Sequence, residues 1–230
     1  MLYGLDPTYY LVIIGMVLSL AASASVRTTF SKYSKVRSLS GCTGAMAAER
    51  ILHQAGIYDV RIEHISGNLT DHYDPRNKTL RLSDSVYGQM SVAAVGVAAH
   101  ECGHAMQHAR GYAPLHLRSS LVPVANFASN AAWPIIMAGL FFDAFRSLIL
   151  IGIILFSVAV LFQIVTLPVE FNASRRAVRI LSDTGILYQD EVKQTKKVLR
   201  AAALTYVAAA AASILQLIRL ILIFGGRNRD

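Results

Sequence analysis

The chain has 230 residues, 54% of them hydrophobic and only 16% charged, and a formal net charge of +8 at pH 7. A soluble domain carries about 25% charged residues, so this balance excludes an ordinary soluble globular protein and describes a membrane protein. The positive charge does not point to nucleic acid either, because 18 of the 22 Lys and Arg lie in residues 27–118 and 169–200. Four membrane spans would put those two segments on one side, and the positive-inside rule makes that side the cytoplasm.

In chain order, residues 9–26 form the first apolar run, close to the ~20 residues a bilayer-crossing helix needs. Met1–Tyr10 has no Lys or Arg and contains Asp6, whereas a signal peptide opens on positive charge. Ala22-Ser23-Ala24 resembles a cleavage site. Arg27, Lys32, Lys35 and Arg37 just beyond it instead favour a retained signal anchor with its N-terminus outside. Those four cations suit either contact with anionic headgroups or a solvated linker.

Residues 27–118 are predicted to form a cytosolic catalytic domain. It opens with an amphipathic helix capped by Ser40 or Thr43, with Ala47, Ile51, Leu52 and Ala55 on one face, and ends at Gly56. From Val60 to Leu82 apolar and polar residues alternate, broken by turns at Gly67-Asn68 and Asp74–Asn77, which predicts a small antiparallel sheet. A free edge of that sheet suits an extended peptide held by strand addition, or the sheet simply supports the next helix. His53, His64 and His72 read as ordinary surface or strand residues.

A helix is then predicted from about Val86 through His108, closed by Gly111, and it carries His100-Glu101-Cys102-Gly103-His104. Residues four apart share a helix face with Cβ atoms about 5–6 Å apart, so His100 and His104 can bind one Zn²⁺. Glu101 is turned about 100° from His100 and sits beside the metal, placed to take a proton from water there. His108 continues the series but lies about 12 Å along the axis from His100, too far to share the ion, and has at most a supporting role. Cys102 is rotated about 200° from His100 and reads as packing. Two cysteines, Cys42 and Cys102, are too few for a disulfide framework.

Residues 121–142 form a second span, in which Asn126 and Asn130 are expected to point into the helix bundle, either bonding across it or lining a substrate path. A turn near Asp143–Arg146 leads to a third span at 148–168, which returns the chain to the side it left. A catalytic zinc generally has three protein ligands and an open position. Glu170 lies just beyond the third span on the side of His100 and His104, and Pro168 suits the first turn of a new helix presenting it. The alternative is an interfacial acid paired with Arg175 or Arg176. Residues 169–200 end in a basic amphipathic connection with Lys193, Lys196, Lys197 and Arg200, and 201–224 is the last span. Arg219 can snorkel to the interface. Arg227 and Arg229 fall on the side that span parity places outside, against the main charge bias.

Ala98–Ala109, Asp71–Arg76 and Leu167–Arg176, with Lys196–Tyr206 near the end, resemble the YugP-like neutral zinc metallopeptidases, bacterial membrane-bound enzymes of the gluzincin class distantly similar to HtpX-like proteases. The resemblance covers nearly the whole chain. It implies an α-helical membrane protein with about four transmembrane helices and a small α+β zincin-like catalytic domain, in the bacterial inner (plasma) membrane with its site facing the cytoplasm. It further implies one Zn²⁺ held by His100, His104 and Glu170, with Glu101 as the catalytic base. Relatives place an aspartate four residues after that glutamate. Ser174 stands there in this chain, so support of the ligands falls to Ser174 or Asn172. Candidate donors to the developing oxyanion are Tyr206, Arg200 and His108. The expected partners are a protein or peptide substrate and the lipid bilayer, with room for an oligomer or a partner membrane protein. No nucleic-acid motif is present. Two other readings are an intramembrane site-2-type protease, although the chain lacks the Asp-Gly pair of such enzymes, and a non-catalytic scaffold in which zinc only fixes the fold.

Overall fold

The structure is a computed structural model that describes residues 6–142 and 147–225. Its elements are α1 (Tyr9–Tyr33), α2 (Gly44–Gln54), β1 (Arg61–Ile65), β2 (His72–Asp74), β3 (Thr79–Ser83), α3 (Val92–Ala109), α4 (Ala113–Phe141), α5 (Ser147–Asp183) and α6 (Gln189–Phe224). Among the described residues, α1, α4, α5 and α6 are long and apolar enough to cross a membrane. The expected turn at Asp143–Arg146 and the cations Arg227 and Arg229 lie outside the described residues.

The chain divides into two compact units, one drawn from 1–23, 117–167 and 205–230, the other from 24–116 and 168–204. The first consists of helices with apolar residues outward: Phe127, Phe141 and Leu150 are all exposed, as a lipid-facing surface requires. Its helices meet at small residues. A Cβ on Gly15 would stand 3.1 Å from Ala212, and one on Gly152 would stand 2.4 Å from the Ile136 side chain, so glycine lets these backbones approach. Ile136, Ile149, Ile153 and Leu220 form its buried cluster. Asn126 and Asn130 do not point into this bundle as expected; both are exposed. The inward stripe of α4 is Ala125, Ala128, Ala132 and Ile136, because close helix packing favours alanine over an amide.

The second unit holds the sheet. α2 is capped by Thr43, whose side chain accepts from the Met46 amide, and the chain leaves it through Gly56 at φ +75°, a left-handed conformation that suits glycine. The sheet order is β1-β3-β2, with β1 parallel and β2 antiparallel to β3. This corrects the all-antiparallel expectation. Gly67-Asn68 does not close a hairpin; the longer connection Ser66–Asp71, with Gly67 at φ +114° and Leu69 at φ +56°, carries the chain past the position that β3 then fills. Asp74 stabilises the β2–β3 turn by accepting from the Arg76 amide and the Asn77 side chain.

α3 starts at Val92 rather than near Val86, because the Ser91 side chain accepts from the Ala94 amide and caps it there. Its buried face, Val92, Val95, Ala98, Ala99 and Cys102, packs with Ile51, Leu52, Leu80, Leu82, Ala177 and Leu181 in one core. The Cys102 thiol, pushed well up in pKa by burial, lies 3.6 Å from the Ala48 carbonyl and is a packing group. Pro168 does not begin a new helix: α5 runs unbroken through it from Ser147 to Asp183. An internal proline removes one backbone hydrogen bond, and the remaining ladder carries the helix on.

Candidate metal centre

Positions 100 and 104 sit one turn apart on α3, with imidazole centroids 4.9 Å apart. Opposite them stands Glu170 of α5. Its Oε2 lies 3.2 Å from His100 Nε2 and 3.6 Å from His104 Nε2. One ligand atom from each of the three side chains falls within 4.8 Å of the others. Two atoms each about 2.0–2.1 Å from a tetrahedral zinc stand roughly 3.3 Å apart, so the spacing and the two-nitrogen, one-oxygen donor set fit such an ion. Glu101 is buried at 8% exposure on the same helix.

What allows α5 so close is Gly103. A Cβ there would stand 2.6 Å from the Ala173 carbonyl oxygen, closer than van der Waals contact permits. Gly96, seven residues earlier, plays the same part against Thr195 of α6, where a Cβ would meet the threonine methyl at 2.6 Å.

The outer nitrogen of each imidazole is also engaged. His100 Nδ1 lies 3.1 Å from Ser174 Oγ, and His104 Nδ1 lies 3.0 Å from Gln107 Oε1. Since Gln107 Oε1 only accepts, His104 Nδ1 carries a proton, which leaves Nε2, the nitrogen facing Glu170, as the one that can bind a metal once its own proton is lost. Gln107 is fully buried, and its amide donates to the Val169 carbonyl at 2.8 Å and to Asn172 Oδ1 at 3.0 Å. Asn172 Oδ1 also accepts from Arg176 Nε at 2.7 Å. Ser174 and Asn172 thus both stand behind the group, and Gln107 joins them unforeseen. Its position, three residues after His104 on the same helix, was the available signal.

Burial would push the His104 imidazole down in pKa, but the Glu170 hydrogen bond, the nearby Glu101 and Glu170 charges and Gln107 outweigh it, and the net shift is upward. Burial would raise Glu170, yet hydrogen bonds from His100 and His104 hold its carboxyl well below the ordinary range. The pocket therefore favours a positive charge between the three side chains.

Three further residues are expected near the reaction. His108 Nδ1 is 2.8 Å from the Tyr73 hydroxyl, Arg200 lines a cleft with Lys32 and Lys197, and Tyr206 lies on α6. His64 pairs with Asp84, His72 Nδ1 lies 2.9 Å from the Thr70 carbonyl, and His53 packs on Tyr58.

The family described as "Putative neutral zinc metallopeptidase" matches residues 8–225. A protein of Bacillus subtilis (strain 168) named "Putative membrane protease YugP" is 49% identical over 222 residues, covering 96% of this chain and 98% of that relative. No solved structure matches the chain significantly. A match over nearly the whole length, on a chain that brings two histidines and a glutamate together this way, means that the protein belongs to this family of neutral zinc metallopeptidases.

Proposed function

We propose that the protein is a membrane-anchored zinc metalloendopeptidase whose single ion is held by His100, His104 and Glu170. The observation that carries this reading is the approach of Glu170 Oε2 to both Nε2 atoms, at 3.2 and 3.6 Å, at a spacing that suits a tetrahedral ion. When bound, zinc supplies Lewis acidity that eases deprotonation of water and polarises a carbonyl.

The chain's own groups do the rest. Glu101 takes the proton of the attacking water and returns it to the leaving amine, acting as base and then acid. Ser174 and Gln107 fix the two imidazoles, and Asn172 holds Gln107. Among the described residues β2 forms one edge of the sheet and pairs with β3 alone, which gives an extended peptide a backbone to pair with. Substrates are proteins or peptides at the membrane surface, and the catalytic unit faces the cytoplasm from the plasma membrane. All three metal-binding side chains belong to the unit drawn from 24–116 and 168–204, which favours hydrolysis at the membrane surface over an intramembrane site.

The deciding experiment is Glu101→Gln. The purified variant is expected to fold and keep one zinc per chain while cleavage of a casein-like unfolded substrate falls by at least about a hundredfold, within the contribution general acid–base groups make. Undiminished cleavage would remove Glu101 from the mechanism, and zinc binding without cleavage by the wild type would favour the scaffold reading.

A further inference from the structure

Four guanidinium groups line one cleft of the polar unit, whose lining includes none of the metal-binding side chains. Arg110 caps the last turn of α3, and Arg175, Arg176 and Arg179 come from α5, around a volume of about 380 Å³. One carboxylate, Asp183, shares the lining. Among the described residues none of the four arginines is in an ion pair. The cleft therefore carries uncompensated positive charge. Lys193, by contrast, is exposed and paired with Asp190.

The cleft is also partly set in place. Arg176 donates through Nε to Asn172 Oδ1 at 2.7 Å and lies over the Tyr112 ring, 5.9 Å from its centroid. Asn172 is itself fixed by Gln107, which leaves the terminal nitrogens of Arg176 to meet a ligand in a defined plane. Burial, then the charge of Arg110, lowers the pKa of Arg176, so the cations are near enough to repel, and an anion between them would relieve that repulsion.

We propose that this cleft binds a phosphate group, free or carried on a lipid. Guanidinium forks match phosphate oxygens bidentately, and several converging forks suit a group with three or four oxygens and up to two negative charges better than a single carboxylate. Arg175 lies seven residues beyond Pro168, where the apolar run of α5 ends. That is about 10 Å along the helix, within reach of headgroups for a long side chain and equally open to the cytosol.

The test uses the full-length protein stripped of metal, so that phosphate has no zinc to bind, in nanodiscs of phosphatidylcholine alone. Isothermal titration with inorganic phosphate should show saturable one-to-one binding, weakened about tenfold or more in Arg110→Gln/Arg179→Gln. Lys196→Gln/Lys197→Gln removes the same charge elsewhere and should stay within about twofold. Arg175→Gln alone, at an exposed position, should weaken binding about threefold and serves if the double variant unfolds. A second arm counts phosphatidylglycerol retained per chain after detergent extraction from mixed bilayers. More on the wild type than on the double arginine variant assigns the site to lipid, and equal retention assigns it to free phosphate. Absence of saturable phosphate binding, or equal loss in the arginine and lysine double variants, would overturn the proposal.

Discussion

Gly103 and Ala173 face each other so closely that a single added Cβ at residue 103 would stand 2.6 Å from the Ala173 carbonyl oxygen. Glu170 lies about one turn before that contact on α5, and His100 and His104 flank Gly103 on α3. The approach of the two helices therefore sets the distance from which Glu170 reaches the imidazoles.

Gly103→Ala should accordingly loosen the site. Overpacking of this kind costs about 1–3 kcal/mol, and the helices must part or slide to relieve it. The expected outcome is a lower melting temperature together with lost zinc. Gly88→Ala, where an added Cβ meets nothing within 4 Å, should change neither. Calorimetry and zinc stoichiometry on both variants decide the matter.

Glu170→Ala leaves only His100 and His104 for the ion, so zinc per purified folded chain should fall steeply and activity with it. Glu170→Asp should keep some metal, since a carboxylate remains on a shorter arm. His108→Ala is the control: its ring lies on Tyr73, and the variant should retain its zinc. Full zinc in Glu170→Ala with loss in His108→Ala would mean that another group completes the centre.

The His104 and Glu170 shifts give metal binding a pH dependence with a definite sign. In the metal-free protein the raised His104 contributes stability that is complete below about 6.5 and is lost as pH rises through its folded value. Glu170 is lowered, so its contribution is present above about 4.5 and is lost as pH falls. Zinc needs the His104 nitrogen free of its proton. The zinc-dependent gain in melting temperature should therefore be small near pH 6 and grow toward pH 8, measured by scanning fluorimetry with and without zinc. A gain independent of pH would separate zinc binding from His104.

A thiol label can read the orientation of the polar unit. Both native cysteines are buried, so Arg76→Cys, in the exposed β2–β3 turn, provides the reactive group. A membrane-impermeant maleimide should label it in lysed cells and leave it untouched in intact ones. Labelling in intact cells would place the unit outside.

Local physics was enough for part of this protein. The helical repeat puts His100 and His104 on one face wherever that segment is helical, and four apolar runs long enough for a bilayer are visible in composition alone. Thr43 and Gly56 bound α2 for reasons contained within a few residues. Glu170 could be singled out by span parity and by resemblance, but its distance to histidines 66 and 70 positions away was not contained in any local pattern.

The rest depended on contacts distant in the chain. Whether β1 pairs with β2 or with β3 is decided by where a six-residue connection lands, and alternation of apolar residues is the same in either case. Pro168 remains inside α5 because one missing hydrogen bond is outweighed by the helix on both sides of it. Gly103 looks like an arbitrary filler between two histidines until Ala173 is brought against it. Gln107 becomes a partner of His104 only once Val169 and Asn172 take up its amide, since a buried side-chain amide is stable only where a fold completes its hydrogen bonds.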